Sequence, residues 1–159
     1  MSRFKAFLDT NILLDAYIDS RPYSEEANLI LYNGFMNDFD LYISASQITD
    51  FVFIAGRGGE GYTTKRAIEW LKNYTQCFTI ADTTSKDILD MIHSDWKDYE
   101  DYLVYTTALR YGCEVLISRN NVDFSKAVIP VLDEHEFFDW YEKNYNIRYC
   151  FAELASLAE

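Results

Sequence analysis

What most constrains this chain is the alternation of short apolar runs with longer segments of helical spacing. Residues 3–8 (RFKAFL), 41–44 (LYIS), 77–81 (CFTIA), 114–117 (EVLI) and 128–131 (VIPV) are too short for stable helices and each predicts a strand. Short apolar strands separated by helices point to a parallel sheet covered on both faces, because crossover helices shield both sides. Pro130 cannot donate a ladder hydrogen bond, which places the fifth run at a sheet edge. The expected class is α/β.

The intervening segments predict helices. Residues 11–18 form a short one, broken before Pro22, and 23–37 a second with Ala27, Ile30, Leu31, Gly34 and Phe35 at helical spacing. Ser46 is the expected cap of a helix carrying Ile48, Phe51, Val52 and Ala55. Further helices are expected over about 62–75, from Thr84 or Ser85 to about His93, and over 99–111, stopped by Gly112. Asp133 caps a last helix over 133–144. The amphipathic segment 147–159 suits a terminal helix. With no repeat, low-complexity stretch or linker, the organisation is one domain over 1–145 and a C-terminal tail over 146–159 that packs on the domain or on a partner.

Composition bounds the function. Hydrophobic residues make up 49% of the 159, enough for a substantial core and against disorder. No run reaches the roughly 18 apolar residues that span a membrane. The opening MSRFKAFLDTN lacks a secretory pattern because Lys5 breaks its apolar run, so a cytoplasmic location is expected. Cys77, Cys113 and Cys150 have neither disulfide nor zinc spacing and read as reduced thiols. The net charge of −12 counts against non-specific duplex binding, which needs a basic face. It is compatible with carboxylates gathered around a divalent cation that receives phosphate.

Asp9 ends the first strand, Asp50 lies early in the helix after the second, and Asn120 and Asp123 follow the fourth. In a parallel sheet the carboxyl ends of the strands share one edge, where ligand clefts form. Asp101, near the start of the helix before the fourth strand, is not placed at that edge by the same rule. Taken singly, Asp9 reads equally well as a helix cap, and Asp98, Glu100 and Asp101 as a solvated helix start. Taken together, carboxylates at these element ends point to a site whose mutual repulsion a hard cation relieves.

These motifs resemble PIN-domain proteins, close to the VapC-like toxin ribonucleases and related bacterial proteins. FLDTNILLDAYIDSRPYSEEA is similar to the family's first strand and acidic motif, ISASQITDFVFI to the second, and DYEDYLVYTTALRYGCEVLISRNNVDF to the paired third and fourth. IPVLDEHEFFDWY is similar to its closing strand and helix, so the likeness spans roughly residues 4–141. The resemblance implies a three-layer α/β/α sandwich with a five-stranded parallel sheet in the order 3-2-1-4-5. It also implies RNA hydrolysis dependent on Mg²⁺ or Mn²⁺, with Asp9, Asp50, Asp101 and Asp123 as catalytic acids. Asn120 joins these four as a metal ligand, and Asn11, Ser118 and Arg119 position substrate. Asp50 stands where glutamate is more usual and Asn120 where many members carry aspartate. The implied partners are an RNA substrate, an antitoxin protein and a second copy of the chain. The competing reading is a non-catalytic PIN-type module that holds metal weakly and binds a protein.

Other features weigh less. Residues 56–61 spell G-x-G-x-x-G, but a helix precedes them where a dinucleotide site needs a strand, so they read as a loop. Tyr99, Tyr102, Tyr105 and Tyr111 suit either base stacking or core packing. His93 and His135 lack metal-ligand spacing and read as surface or capping residues. Arg119 suits either phosphate positioning or a structural ion pair. A phospho-receiver-like domain would need a lysine after the last strand, and VIPVLDEHEF has none.

Overall fold

The computed structural model describes residues 3–149. In chain order its elements are β1 (Lys5–Leu8), α1 (Thr10–Tyr17), α2 (Ser24–Phe35), β2 (Asp40–Ser44), α3 (Ala45–Ala55) and α4 (Thr64–Tyr74). They continue with β3 (Thr79–Ala81), α5 (Ser85–Ile92), α6 (Tyr99–Arg110), β4 (Val115–Ile117), β5 (Val131–Leu132) and α7 (Glu134–Tyr145). The five strands form one sheet in the order β3-β2-β1-β4-β5, with every neighbouring pair parallel. The expected sandwich and strand order are those observed.

Strand pleating divides the core into two layers. Ala6 and Leu8 of β1, Leu41 and Ile43 of β2, and Val115 and Ile117 of β4 pack with α1, α2, α3, α4 and α7. The intervening Phe7 and Leu116 face the other way, onto Val104, Tyr105 and Ala108 of α6. α5 packs against α6 on that second face. Phe7 and Leu116 are fully buried, and each such side chain contributes about 1.5–3 kcal/mol by leaving water.

Local chemistry sets the helix ends. Asp9, Ser44, Thr63, Thr84, Asp98 and Asp133 each cap a helix by accepting a backbone N–H. Ser44, not Ser46, caps α3. Its hydroxyl accepts from Gln47 N–H while the Gln47 side chain accepts from Ser44 N–H at 2.7 Å, closing a capping box. Ser46 lies one residue too far along to do this, and its hydroxyl pairs with that of Ser44 at 2.9 Å. Past the end of α6, Gly112 adopts φ +69°, the left-handed turn that suits glycine.

The strand bounds differ from those expected by one to three residues, and two of the differences have a visible cause. β3 begins at Thr79, leaving Cys77 and Phe78 as buried residues ahead of the ladder. β5 is shifted past Pro130, whose carbonyl accepts from Leu116 N–H at 3.0 Å although its nitrogen can donate nothing. Residues 56–61 form the expected loop, between α3 and α4. Tyr149 stacks on Tyr141 and donates to Asp38, so the start of the tail lies on the domain. The expected terminal helix falls mostly on residues 150–159, outside the described part.

Candidate metal centre

β1 lies between β2 and β4, so the crossovers leave it in opposite directions. A parallel sheet opens a crevice at the carboxyl ends of its strands where the order reverses. Asp9 stands at that point, directly after β1. Its backbone N–H donates to Ile117 O at 3.0 Å, tying it to the end of β4. Its Oδ1 accepts from Thr10 N–H at 2.7 Å as the cap of α1, and its Oδ2 accepts from the Ser118 hydroxyl at 2.8 Å. The cap and the candidate ligand are thus one side chain. Burial raises the Asp9 carboxyl above its ordinary value, opposed by the hydrogen bonds of Ser118 and Thr10, by Asn11 and by the charge of Arg119.

Asp101 reaches the same crevice because Asp98 sets the start of α6. The Asp98 carboxylate accepts the N–H groups of Glu100 and Asp101 at 2.9 and 3.1 Å. Asp101 is buried, and its Oδ2 accepts from the Asn120 side-chain amide at 3.2 Å. Burial, then the charges of Asp9, Asp98, Asp123 and Glu100, push its carboxyl up to about 7. Asp123 therefore belongs to the same electrostatic cluster. Asn120 N–H in turn donates to Ser118 Oγ at 3.0 Å, so Asp9, Ser118, Asn120 and Asp101 form one chain of hydrogen bonds across the crevice.

Glu100, read in the sequence only as part of a solvated helix start, also joins the site. Its Oε1 accepts from the Thr10 hydroxyl at 3.1 Å. Its carboxyl is raised by burial of that end, by the charge of Asp50 and by those of Asp9 and Asp98. Asp50 thus faces the cluster through Glu100. Thr10 is placed by Gln47, whose amide donates to Thr10 Oγ1 at 3.2 Å and to Leu8 O at 2.9 Å. Thr10 and Gln47 were not singled out in the sequence. The signals were present in the capping-box spacing of Ser44 and Gln47 and in the cap position of Asp98.

Arg119 turns to the other side of its segment. Its Nη2 lies 2.9 and 2.7 Å from the two carboxylate oxygens of Asp15, and its guanidinium sits 4.7 Å over the Tyr23 ring. Among the tyrosines, Tyr105 is buried and accepts from Val128 N–H, and Tyr111 accepts from Asp82 N–H, while Tyr99 is exposed. His135 pairs with Glu26 away from the crevice.

Among the described residues, no three carboxylate, imidazole or thiol groups converge into a ready ligand shell. The donors are nevertheless all oxygen, and the charged forms of Glu100 and Asp101 are disfavoured first by burial and then by neighbours of like sign. That chemistry fits a hard cation that keeps much of its water and takes one or two carboxylates directly, as Mg²⁺ does.

The comparisons with known proteins agree with this architecture. Ribonuclease VapC1 of Aquifex aeolicus (strain VF5) is 28% identical over 145 residues, covering 86% of this chain and 95% of that protein. Rickettsia felis VapBC2, solved bound to a DNA fragment of its promoter, aligns with a TM-score of 0.60 at 14% identity, over 82% of this chain and 98% of that one. Mycobacterium tuberculosis VapC20, a sarcin-ricin loop cleaving toxin, aligns with a TM-score of 0.60 at 8% identity, over 76% and 94%. At those identities the two structures speak for the fold. The family model for the PIN domain matches residues 5–122, most of the sheet and the whole acidic crevice apart from Asp123, and the chain belongs to the PIN-domain family.

Proposed function

We propose that this protein is a divalent-metal-dependent endoribonuclease that hydrolyses RNA phosphodiester bonds. The observation that carries the reading is the chain of hydrogen bonds that brings the buried Asp9 and Asp101 together through Ser118 and Asn120 at the sheet's reversal point, among further acids. Such a cluster is costly in water alone and is relieved by a cation. Asp9, Asp101 and Asp50 would hold Mg²⁺ or Mn²⁺, with Asn120, Asp123 and Glu100 contributing through side-chain oxygen or retained water. A bound cation supplies polarisation of a phosphoryl oxygen and a lowered pKa for an attacking water.

The protein's own residues prepare that site. Ser118 and Thr10 N–H orient the Asp9 carboxylate, leaving lone pairs toward the crevice. Asn120 holds Asp101 by one oxygen. Glu100, whose carboxyl is raised by burial and by the charge of Asp50 and which Thr10 holds by one oxygen, is placed to accept or return a proton. Asn11 stands beside Asp9 at the start of α1, within reach of a phosphate that approaches it.

The relatives extend the proposal to partners. A relative described as a ribonuclease and a neighbour described as a sarcin-ricin loop cleaving toxin support an RNA substrate. A toxin–antitoxin complex among the structural neighbours supports a protein antitoxin and a second copy of the chain as partners. The test is cleavage of a diverse RNA set with Mg²⁺ or Mn²⁺. Activity that disappears with EDTA and in Asp9→Asn supports the enzyme. No cleavage together with no Mn²⁺ binding by calorimetry would overturn it in favour of a non-catalytic binding module.

A further inference from the structure

A second charged cluster lies behind the crevice, on the far side of the same strand end. Asp15 of α1 and Glu134, the first residue of α7, are both fully buried. Arg119 lies between them, 2.7 Å from Asp15 Oδ2 and 3.8 Å through its Nε from Glu134 Oε1. Arg21 pairs with Asp15 from the turn after α1. Two buried carboxylates and two partly exposed arginines thus join α1, α7 and the chain leaving β4. Burying such groups is expensive unless each charge is well matched, and removing one partner leaves the other stranded. Glu134 is the least satisfied, since neither carboxylate oxygen has a well-formed hydrogen bond.

The position of Arg119 gives this cluster a further consequence. It is flanked by Ser118, which holds Asp9, and by Asn120, which holds Asp101. The chain bends at Arg119, and its hydrogen bonds turn Ser118 and Asn120 to the crevice while Arg119 turns to the buried acids. We propose that Arg119, held against Asp15, is a positioning residue that sets the spacing of Asp9 and Asp101 for the cation. This rests on the reading that the crevice binds a divalent metal. It assigns the Arg119 guanidinium to the protein rather than to substrate phosphate. The contact is tied to the site at both partners, because Arg119 lies between Ser118 and Asn120 and Asp15 lies on the helix that Asp9 caps.

Arg119→Lys separates geometry from charge. Lysine keeps the positive charge that Asp9 feels, but its compact ammonium lacks the planar guanidinium that lies over Tyr23 while meeting Asp15. Groups that orient ligands from behind typically contribute about 10–100-fold in metal affinity. The experiment is Mn²⁺ titration by calorimetry at pH 8 on the full chain, with melting temperature recorded alongside. Arg119→Lys is expected to bind Mn²⁺ at least about tenfold more weakly than the parent. Arg21→Lys, which changes the second cation on Asp15 and leaves the Arg119–Asp15 contact in place, is expected to lower the melting temperature and keep the parent's affinity. Equal Mn²⁺ affinity in the parent and Arg119→Lys, or an equal loss in Arg21→Lys, overturns the proposal as merely structural. Should Arg119→Lys not fold, Asp15→Asn takes its place, with weakened Mn²⁺ binding expected and unchanged binding refuting. A parent that binds no Mn²⁺ refutes the metal reading itself, which is a different result from a parent that binds and a variant that binds equally.

Discussion

Replacing Asp101 by asparagine is expected to make the metal-free protein more stable while abolishing RNA cleavage. The Asp101 carboxyl rises from its ordinary 3.8 to about 7 in the folded chain. A proton is therefore bound more tightly by the folded state than by the unfolded one. This group favours folding below about pH 4, and that contribution is lost as pH rises through about 7. At roughly 1.4 kcal/mol per pH unit the rise sets an upper bound of about 4 kcal/mol of strain in the ionised protein at pH 8. Glu100 and Asp9 are raised too and share protons with the cluster, so about 2 kcal/mol is the expected gain for Asp101→Asn. Asparagine can still accept the Asn120 amide through its Oδ1. For a domain of this length, about 2 kcal/mol corresponds to about 4–8 °C in melting temperature. The assay is thermal unfolding at pH 5 and pH 8, with EDTA and with saturating Mn²⁺. The variant should gain stability over the parent as pH rises from 5 to 8 in EDTA, and Mn²⁺ should close the gap by stabilising the parent. A variant no more stable than the parent at pH 8 in EDTA would refute the idea that like charge is stored at this site.

Three further outcomes follow from the geometry. Ser118→Ala removes a buried hydrogen bond to a carboxylate and is expected to cost about 2 kcal/mol in urea unfolding; a loss under about 0.5 kcal/mol would mean that Asp9 does not depend on it. Gly34→Ala would set a Cβ 2.5 Å from Leu41 Cδ1 and 2.7 Å from Cys77 O, so overpacking of about 1–3 kcal/mol is expected, read as a lower urea midpoint. Burial pushes the Cys113 thiol up to about 12, so in a Cys150→Ser background it should resist a thiol reagent at pH 8 until urea unfolds the chain.

Much of this arrangement is legible in local sequence. The apolar runs are short because each strand crosses a buried sheet once, and the runs near 3–8, 41–44 and 114–117 became β1, β2 and β4. Asp133, Thr84 and Gly112 act at the helix ends where local hydrogen bonding and left-handed backbone require them. The sequence favours Ser46 as the cap because a strand over 41–44 claims Ser44, yet Ser44 is both the last residue of β2 and the cap of α3. Pro130 marks the right edge but not the right bounds, since it can accept from β4 without belonging to β5.

The chain itself determines the alternation of elements, the caps and the supply of carboxylates at strand and helix ends, because these depend on backbone preferences and spacing within a few residues. The tertiary structure alone decides that Thr10 meets Glu100, that Asn120 spans to Asp101, and that Arg119 turns away toward Asp15 and Glu134. Those contacts join segments far apart in sequence, and they arise only once strand order puts β4 beside β1 and crossover helices bring their ends to one edge. Burial then does what no reading of residue types can do: it turns ordinary aspartates into a strained cluster whose protonation and cation demand depend on the company they keep.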